Sequence, residues 1–125
     1  MARPDDAGFD LSELERLTAG RLGVVYEMLH DLLEANRDDL RRLCECVQAQ
    51  DQVAIAALAH RIKGGVRLIR AQAVIEACQE LEDVCAKAAG MSSEVMRRAS
   101  RLGFAVLRLE VRLRRHQARQ RPPAG

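Results

Sequence analysis

Residues 53–71 read VAIAALAHRIKGGVRLIRA, and the prediction of the fold begins from this stretch. Its apolar residues recur at intervals of three and four, the spacing of one face of an α-helix. The predicted core-facing positions are Ile55, Leu58, Ala59, Ile62, Val66 and Ile69. On such a helix His60 lies about 160° round from Ile62. The pattern therefore predicts a helix that presents His60 to solvent.

The predicted helix surface around His60 is low and open. Its neighbours three and four residues away are Ala56, Ala57, Lys63 and Gly64. Two adjacent glycines inside a helix, Gly64 and Gly65, cost about 1 kcal/mol each relative to alanine. Arg67, one turn further on, adds positive charge to the same face. We therefore expect another protein to approach the backbone closely here.

The same helical spacing extends in both directions along the chain. Helices are predicted over 10–18, 22–49, 51–69, 72–89 and 92–116. The predicted N-caps are Asp10, which forms a capping box with Glu13, then Asp51, and Ser92 or Ser93. Gly20 and Gly90 are predicted to end the helices that precede them. Long amphipathic helices joined by short turns pack as antiparallel neighbours. The predicted fold is an all-α, antiparallel four-helix bundle with a short additional N-terminal helix. The predicted domain spans residues 10–118, between a disordered N-terminus (1–9) and a disordered tail (119–125).

Composition supports helices and excludes other classes of protein. Only one tyrosine, two phenylalanines and no tryptophan occur in 125 residues, whereas strands favour aromatic and β-branched side chains. No stretch approaches the roughly 18 apolar residues of a membrane span. The N-terminus is acidic, unlike a signal peptide. These features predict a cytoplasmic location.

The four cysteines do not have the spacing of a metal site. Cys44 and Cys46 lie two apart, which points them to different faces of a helix, and no CxxC or CxxH pattern occurs. Cys78 and Cys85 lie seven apart on one apolar stripe, where cysteine behaves as a small hydrophobe. Free thiols are the favoured interpretation, with a metal or redox role as the alternative.

The chemistry favoured by this arrangement is transfer of a phosphoryl group. A neutral imidazole nitrogen is a good nucleophile near pH 7. A nearby ammonium, here that of Lys63, stabilises the anionic product. The chain has no glycine-rich phosphate loop, so the phosphoryl group should come from another protein rather than from a nucleotide. An ordinary surface histidine is the alternative, and the small residues and paired glycines beside His60 argue against it.

The segment also resembles a known family. The run Ala59-His60-Arg61-Ile62-Lys63-Gly64-Gly65, followed by Leu68, Ile69 and Ala71, resembles the A-H-x-[LI]-K-G-[small] signature of histidine-containing phosphotransfer (HPt) domains. The resemblance covers roughly residues 20–115. It is strongest to the C-terminal HPt domains of unorthodox hybrid sensor kinases of the virulence-sensor (Bvg/Evg) type. The family commonly has glycine where this chain has Arg70, and Ser or Ala where it has Val66.

This resemblance implies a role for each residue of the motif. His60 is the phosphoacceptor, Lys63 the phosphate-side cation and Gly64 the residue that opens access, with Gly65 and Arg67 in support. Glu82, or failing that Gln79, is implied to orient the imidazole by a hydrogen bond; a solvated helix face is the alternative for both.

The resemblance also implies how the domain works with other proteins. The implied partners are the receiver domain of a hybrid sensor kinase and a downstream response regulator. The domain is expected to be a monomeric phosphocarrier without its own ATP site, cofactor or metal, because Mg²⁺ belongs to the receiver. It is either cytoplasmic by itself or the cytoplasmic part of a membrane-bound sensor kinase.

Two rival functions remain open. One is a helical adaptor that binds a receiver or kinase without being phosphorylated. The other is nucleic-acid binding, suggested by nine arginines against two glutamates in residues 91–125, a net charge of +7 against −5 for residues 1–90. The absence of interleaved aromatic residues favours a solvated basic face instead. A docking patch near His60 is suggested by Leu11, Leu14 and Tyr26, with burial in the core as the alternative.

Overall fold

The computed structural model describes residues 8–119, and every regular element in that range is an α-helix. The helices are α1 (Ser12–Leu17), α2 (Leu22–Gln48), α3 (Gln52–Val66), α4 (Gln72–Lys87) and α5 (Ser93–Arg119). The predicted all-α fold with a short N-terminal helix is confirmed. Of the two ends predicted to be disordered, residues 1–7 and 120–125 lie outside the described residues, whereas Arg119, predicted to begin the disordered tail, is the last residue of α5. The predicted domain limits otherwise stay a prediction.

Helices α2 to α5 form a closed ring, in which each packs against the next and α5 packs against α2. Contacts between α3 and α4 show that the two helices are antiparallel. Gln52 at the start of α3 donates to the Ala88 carbonyl just beyond α4 (3.0 Å), whereas Lys63 near the end of α3 donates to Gln79 (2.9 Å). Helices α2 and α5 are also antiparallel, because Gln117 near the end of α5 donates to the Tyr26 carbonyl near the start of α2, whereas Arg37, further along α2, pairs with the earlier Glu110. The α3–α4 seam and the α2–α5 seam therefore lie on opposite sides of the bundle.

Local side-chain chemistry sets several helix ends where the sequence predicts them. The carboxylate of Asp51 accepts a hydrogen bond from the backbone N–H of Ala54 (3.0 Å), which caps α3. The hydroxyl of Ser92 accepts from the N–H of Val95 (3.2 Å), which caps α5. Gly20 follows α1 with a φ of +71°, a conformation that glycine adopts without strain.

Helix α3 ends at Val66 rather than near Ile69, because the chain turns through residues 67–70. Arg70 closes this turn with a φ of +49°, in the left-handed region, and its N–H donates to the Arg67 carbonyl (3.0 Å). A side chain in this conformation costs roughly 1–2 kcal/mol relative to glycine. The positive φ explains why glycine suits this position. In this chain the guanidinium of Arg70 lies 3.6 Å from the Asp10 carboxylate.

The segment before α1 packs onto the end of the bundle. The N–H of Asp10 donates to the Ile69 carbonyl (2.7 Å), and Phe9, Leu11 and Leu14 are buried. The disorder predicted for residues 1–9 therefore does not extend to Phe9. The suggestion that Leu11 and Leu14 form an exposed docking patch is wrong, because both side chains belong to the core.

The capping box predicted for this first helix does not form. The carboxylate of Asp10 accepts from the N–H (2.9 Å) and hydroxyl (2.7 Å) of Ser12, and Glu13 pairs with Arg16 instead of reaching back. The motif fails because the helix begins two residues after Asp10, so Glu13 lies too early to cap it.

All four cysteines are free thiols, as the spacing predicted. Cys78 and Cys85 are buried in the core, Cys46 is half-buried and Cys44 is exposed. Burial raises the pKa of the Cys78 thiol to about 12, so this sulfur is an apolar core group rather than a nucleophile. Within residues 8–119 no three His, Cys, Asp or Glu side chains are grouped to hold a metal ion. No helix among them is long and apolar enough to cross a membrane.

Candidate functional site

His60 lies in the middle of α3 and projects from the α3–α4 side of the bundle. Its side chain is 75% exposed, as the helical spacing predicted. The residues directly below it in the core, Ala59 and Ile62, are buried and fix the rotation of the helix. The imidazole is therefore held at the surface by the packing of its own helix.

Glu82 on α4 connects the imidazole to Lys63. One carboxylate oxygen, Oε1, lies 2.9 Å from His60 Nδ1, and the other, Oε2, lies 2.5 Å from Lys63 Nζ. An ionised carboxylate accepts hydrogen bonds only, so the Nδ1 of His60 must be the donor. Nδ1 then carries the proton, and Nε2 has its lone pair free on the exposed side of the ring.

Lys63 occupies a different environment from the open face that the helical spacing predicted. Its side chain is only 9% exposed, and its ammonium donates to Gln79 Oε1 (2.9 Å) as well as to Glu82. The amide of Gln79 in turn donates to Asp83 (3.0 Å). The ammonium is thus a buried partner of Glu82. Of the two residues considered for the imidazole contact, Glu82 makes it and Gln79 binds Lys63.

The two glycines are not required by any contact inside the chain. A Cβ added at Gly64 or at Gly65 would meet no atom of another element within 4 Å. Both residues are exposed, as is Arg67 just beyond the helix, whereas Val66 is buried. Since internal packing gives no reason for the helix-destabilising pair, the bare backbone beside His60 suits approach by a separate molecule.

A buried polar cluster on α2 was missed from the sequence. Asn36 and Asp39 are 2% and 6% exposed, and Arg61, the residue after His60, lies 3.2 Å from the Asp39 carboxylate. Burial raises the pKa of the Asp39 carboxyl. The signal that would have found the cluster is a gap in the apolar stripe of α2 between Leu33 and Leu40, which Asn36 fills.

The other two histidines have different surroundings. His30 on α2 is exposed and lies 3.3 Å from Glu34. His116 is half-buried, and its ring packs edge-to-face on Phe9 at a centroid distance of 5.6 Å. Burial lowers the pKa of His116. Neither lies beside a buried lysine or paired glycines, so His60 is distinguished by its neighbours.

Comparisons with known proteins identify the family of the chain. The family model for the Hpt domain matches residues 27–119. The chain is 30% identical over 119 residues to the virulence sensor protein BvgS of Bordetella bronchiseptica, 29% identical over 119 residues to that of Bordetella parapertussis, and 30% identical over 113 residues to that of Bordetella pertussis. These alignments cover 95%, 95% and 88% of this chain but only 10%, 10% and 9% of the relatives. No solved structure gives a significant match.

The match to the Hpt family model covers most of the chain and includes the whole of α3 and α4. The chain belongs to the Hpt domain family, whose members carry phosphoryl groups on a histidine in phosphorelays.

Proposed function

We propose that this chain accepts a phosphoryl group on Nε2 of His60 from the aspartyl phosphate of a receiver domain and passes it to the aspartate of a response regulator. One observation carries this proposal. The Glu82 carboxylate bridges His60 Nδ1 and Lys63 Nζ, and this contact leaves Nε2 as the exposed nitrogen. A histidine held in this way has its nucleophilic nitrogen preset toward an incoming partner.

The proposed step begins with the lone pair of Nε2 attacking phosphorus of the aspartyl phosphate. The N–P bond forms as the P–O bond to the aspartyl carbonyl breaks, and the partner's carboxylate leaves with the electron pair. Nδ1 keeps its proton, so the phosphorylated ring carries a positive charge. Glu82, 2.9 Å from Nδ1, stabilises that charge as the buried carboxylate of a catalytic triad stabilises imidazolium. Transfer to the regulator is the reverse step with a different aspartate.

Lys63 has two roles in this proposal. Its ammonium, fixed by Glu82 and Gln79, holds the Glu82 carboxylate in position against the imidazole. It also places positive charge one turn from the site where the phosphoryl oxygens accumulate, and Arg67 extends that charge at the surface. Gly64 and Gly65 provide the open backbone on which the receiver is seated.

We further propose that the chain serves as the phosphocarrier module of a hybrid sensor kinase. It spans about a tenth of the length of the curated relatives it matches, and those relatives are virulence sensors. The module needs no nucleotide site, cofactor or metal of its own, because the receiver supplies the activated phosphoryl group. Four free thiols suit the reducing cytoplasm, where a receiver and a response regulator would meet it.

Phosphotransfer from a receiver domain tests the proposal. A receiver carrying ³²P-labelled aspartyl phosphate, with Mg²⁺, is mixed with this chain, and the label is followed on a gel. Label is expected to move to this chain and to be lost in acid but kept in alkali, as for a phosphoramidate. If receivers of the virulence-sensor type transferred no label, the chain would instead be an adaptor that binds without phosphotransfer.

A further inference from the structure

A second open surface lies on the α2–α5 seam, on the side of the bundle away from His60. It is a groove of about 360 Å³ that has no charged side chain in its lining. Its lining is formed chiefly by Leu40, Cys44 and Val47 of α2 and by Gly103, Phe104 and Leu107 of α5. Leu43 and Ala99, which also line it, belong to the buried core, so this groove lies on the surface of the core rather than inside it.

A row of exposed apolar side chains on α5 extends the groove. Met96, Phe104, Leu107 and Val111 are 47%, 68%, 46% and 47% exposed. At helical pitch these four positions lie within about 80° of one another, and they span about 22 Å of the helix axis. Single exposed apolar residues need no explanation, but Phe104, Leu107 and Val111 follow one another at successive turns beside an apolar groove, which is typical of a binding surface. Exposed Ser100 separates Met96 from these three.

Positive charge borders this row on one side. The arginines at this edge are exposed and belong to α5: Arg97, Arg101, Arg108 and Arg112. Arg101 and Arg108 stand three residues before and four after Phe104, so they are its neighbours on the helix surface. Two of these arginines have carboxylate partners, since Arg97 pairs with Glu94 and Arg101 lies 3.6 Å from Glu80 of α4. Arg108 and Arg112 form no ion pair with the residues that the structure describes, so the uncompensated charge of this edge is theirs.

The charge distribution selects among possible occupants. A second copy of the chain docked through the same surface would bring arginines against arginines, which costs binding free energy. A nucleic acid would use the arginines but would leave the apolar row and the uncharged groove without a partner. An amphipathic helix with acidic residues beside its apolar face satisfies both features, because two antiparallel helices provide a groove for a third.

We propose that the α2–α5 groove binds an acidic amphipathic helix of a partner protein. The groove lies opposite the α3–α4 seam that carries His60, so the helix and a receiver can be bound at the same time. The surface thus acts as a tethering site, independent of phosphotransfer.

Two labelled model peptides test this proposal by fluorescence anisotropy. Each is an amphipathic helix about 15 residues long, matched to the length of the apolar row, with leucines on one face; one has glutamates beside the leucines and the other has lysines. The acidic peptide is expected to bind at least about tenfold more tightly than the lysine peptide. Phe104→Ser and Arg108→Glu should each weaken it about tenfold, whereas Leu22→Ser, which removes a similarly exposed side chain (64%) elsewhere, should not.

Phosphotransfer by the same variants shows whether they are folded and whether the His60 site still works. Phe104→Ser is expected to accept phosphoryl groups at the wild-type rate, which shows that the bundle and the His60 site are intact. Equal binding of the two peptides, no binding of either, or unchanged binding by Phe104→Ser would overturn the proposal. A DNA duplex that bound more tightly than the acidic peptide would also overturn the proposal, because the occupant would then be a nucleic acid. A dimer seen by light scattering and abolished by Phe104→Ser would overturn it as well, because the occupant would then be a second copy of the chain.

Discussion

His60→Gln is expected to abolish phosphotransfer to this chain, with labelling reduced by at least about three orders of magnitude. The substitution removes the only nitrogen lone pair that the proposed step uses. Lys63 keeps its hydrogen bonds to Gln79 and Glu82 in this variant, so the contact between α3 and α4 is preserved. Because the His60 side chain is 75% exposed, the free energy of unfolding should change by less than about 0.5 kcal/mol.

His30→Gln is the matched control for this prediction. His30 is also exposed and also lies beside a glutamate, 3.3 Å from Glu34. Its neighbours on α2 include Tyr26 and Leu33 instead of glycines and a buried lysine. This variant should be labelled at the wild-type rate from the same receiver. Loss of label in His30→Gln, or persistence of label in His60→Gln, would show that the phosphoacceptor had been misassigned.

Gly64→Leu is expected to slow transfer from a receiver by at least about 100-fold while making the protein more stable. No atom of another element lies within 4 Å of the added Cβ, so the fold accommodates the side chain. Replacing glycine within an exposed helix gains about 0.5–1 kcal/mol of helix stability. The same side chain stands beside His60 and prevents a receiver from reaching it. Stability and transfer rate, measured by thermal unfolding and by label transfer, should therefore change in opposite directions.

Two controls separate docking from chemistry in Gly64→Leu. Phosphoramidate, a small donor that needs no docking surface, should phosphorylate this variant at close to the wild-type rate. Gly23→Leu introduces the same side chain at another helical glycine with open surroundings. Gly23 lies about 24 Å along α2 from Asp39, the residue that Arg61 beside His60 contacts. This variant should leave receiver transfer unchanged. Equal slowing with phosphoramidate and with the receiver would refute the docking role of Gly64.

The fold followed from apolar spacing because each long helix buries a single stripe. Helix starts at Asp51 and Ser92 were predicted because a side-chain cap depends on residues within one turn. The end of α3 was predicted three residues too late, because the apolar spacing continues to Ile69 while the backbone turns at Arg70. Spacing reports which face a side chain occupies, and it does not report where the helical hydrogen bonds stop.

The exposure of His60 was predictable from the sequence, but the contacts around it were not. Exposure of His60 depends on the rotation of α3 alone, which the core stripe sets. Burial of Lys63 depends on how α4 packs along that side of α3, and the choice between Glu82 and Gln79 depends on the rotation of α4. Both depend on how two helices pack together, which the spacing of residues within one helix does not show. The buried Asn36 was missed for a different reason, because only apolar residues were assigned to the core, and the gap that Asn36 fills in the apolar stripe of α2 was not considered.

The most direct test of the account is to identify the phosphorylated nitrogen. A ¹⁵N-labelled sample phosphorylated by a receiver is examined by long-range ¹H–¹⁵N and ³¹P NMR, which distinguish the two ring nitrogens of each histidine. Because Glu82 holds Nδ1 of His60, we expect phosphorus bonded to Nε2 of His60, with the Nδ1 proton retained. Phosphorus on Nδ1 of His60, or on any other residue, would contradict it.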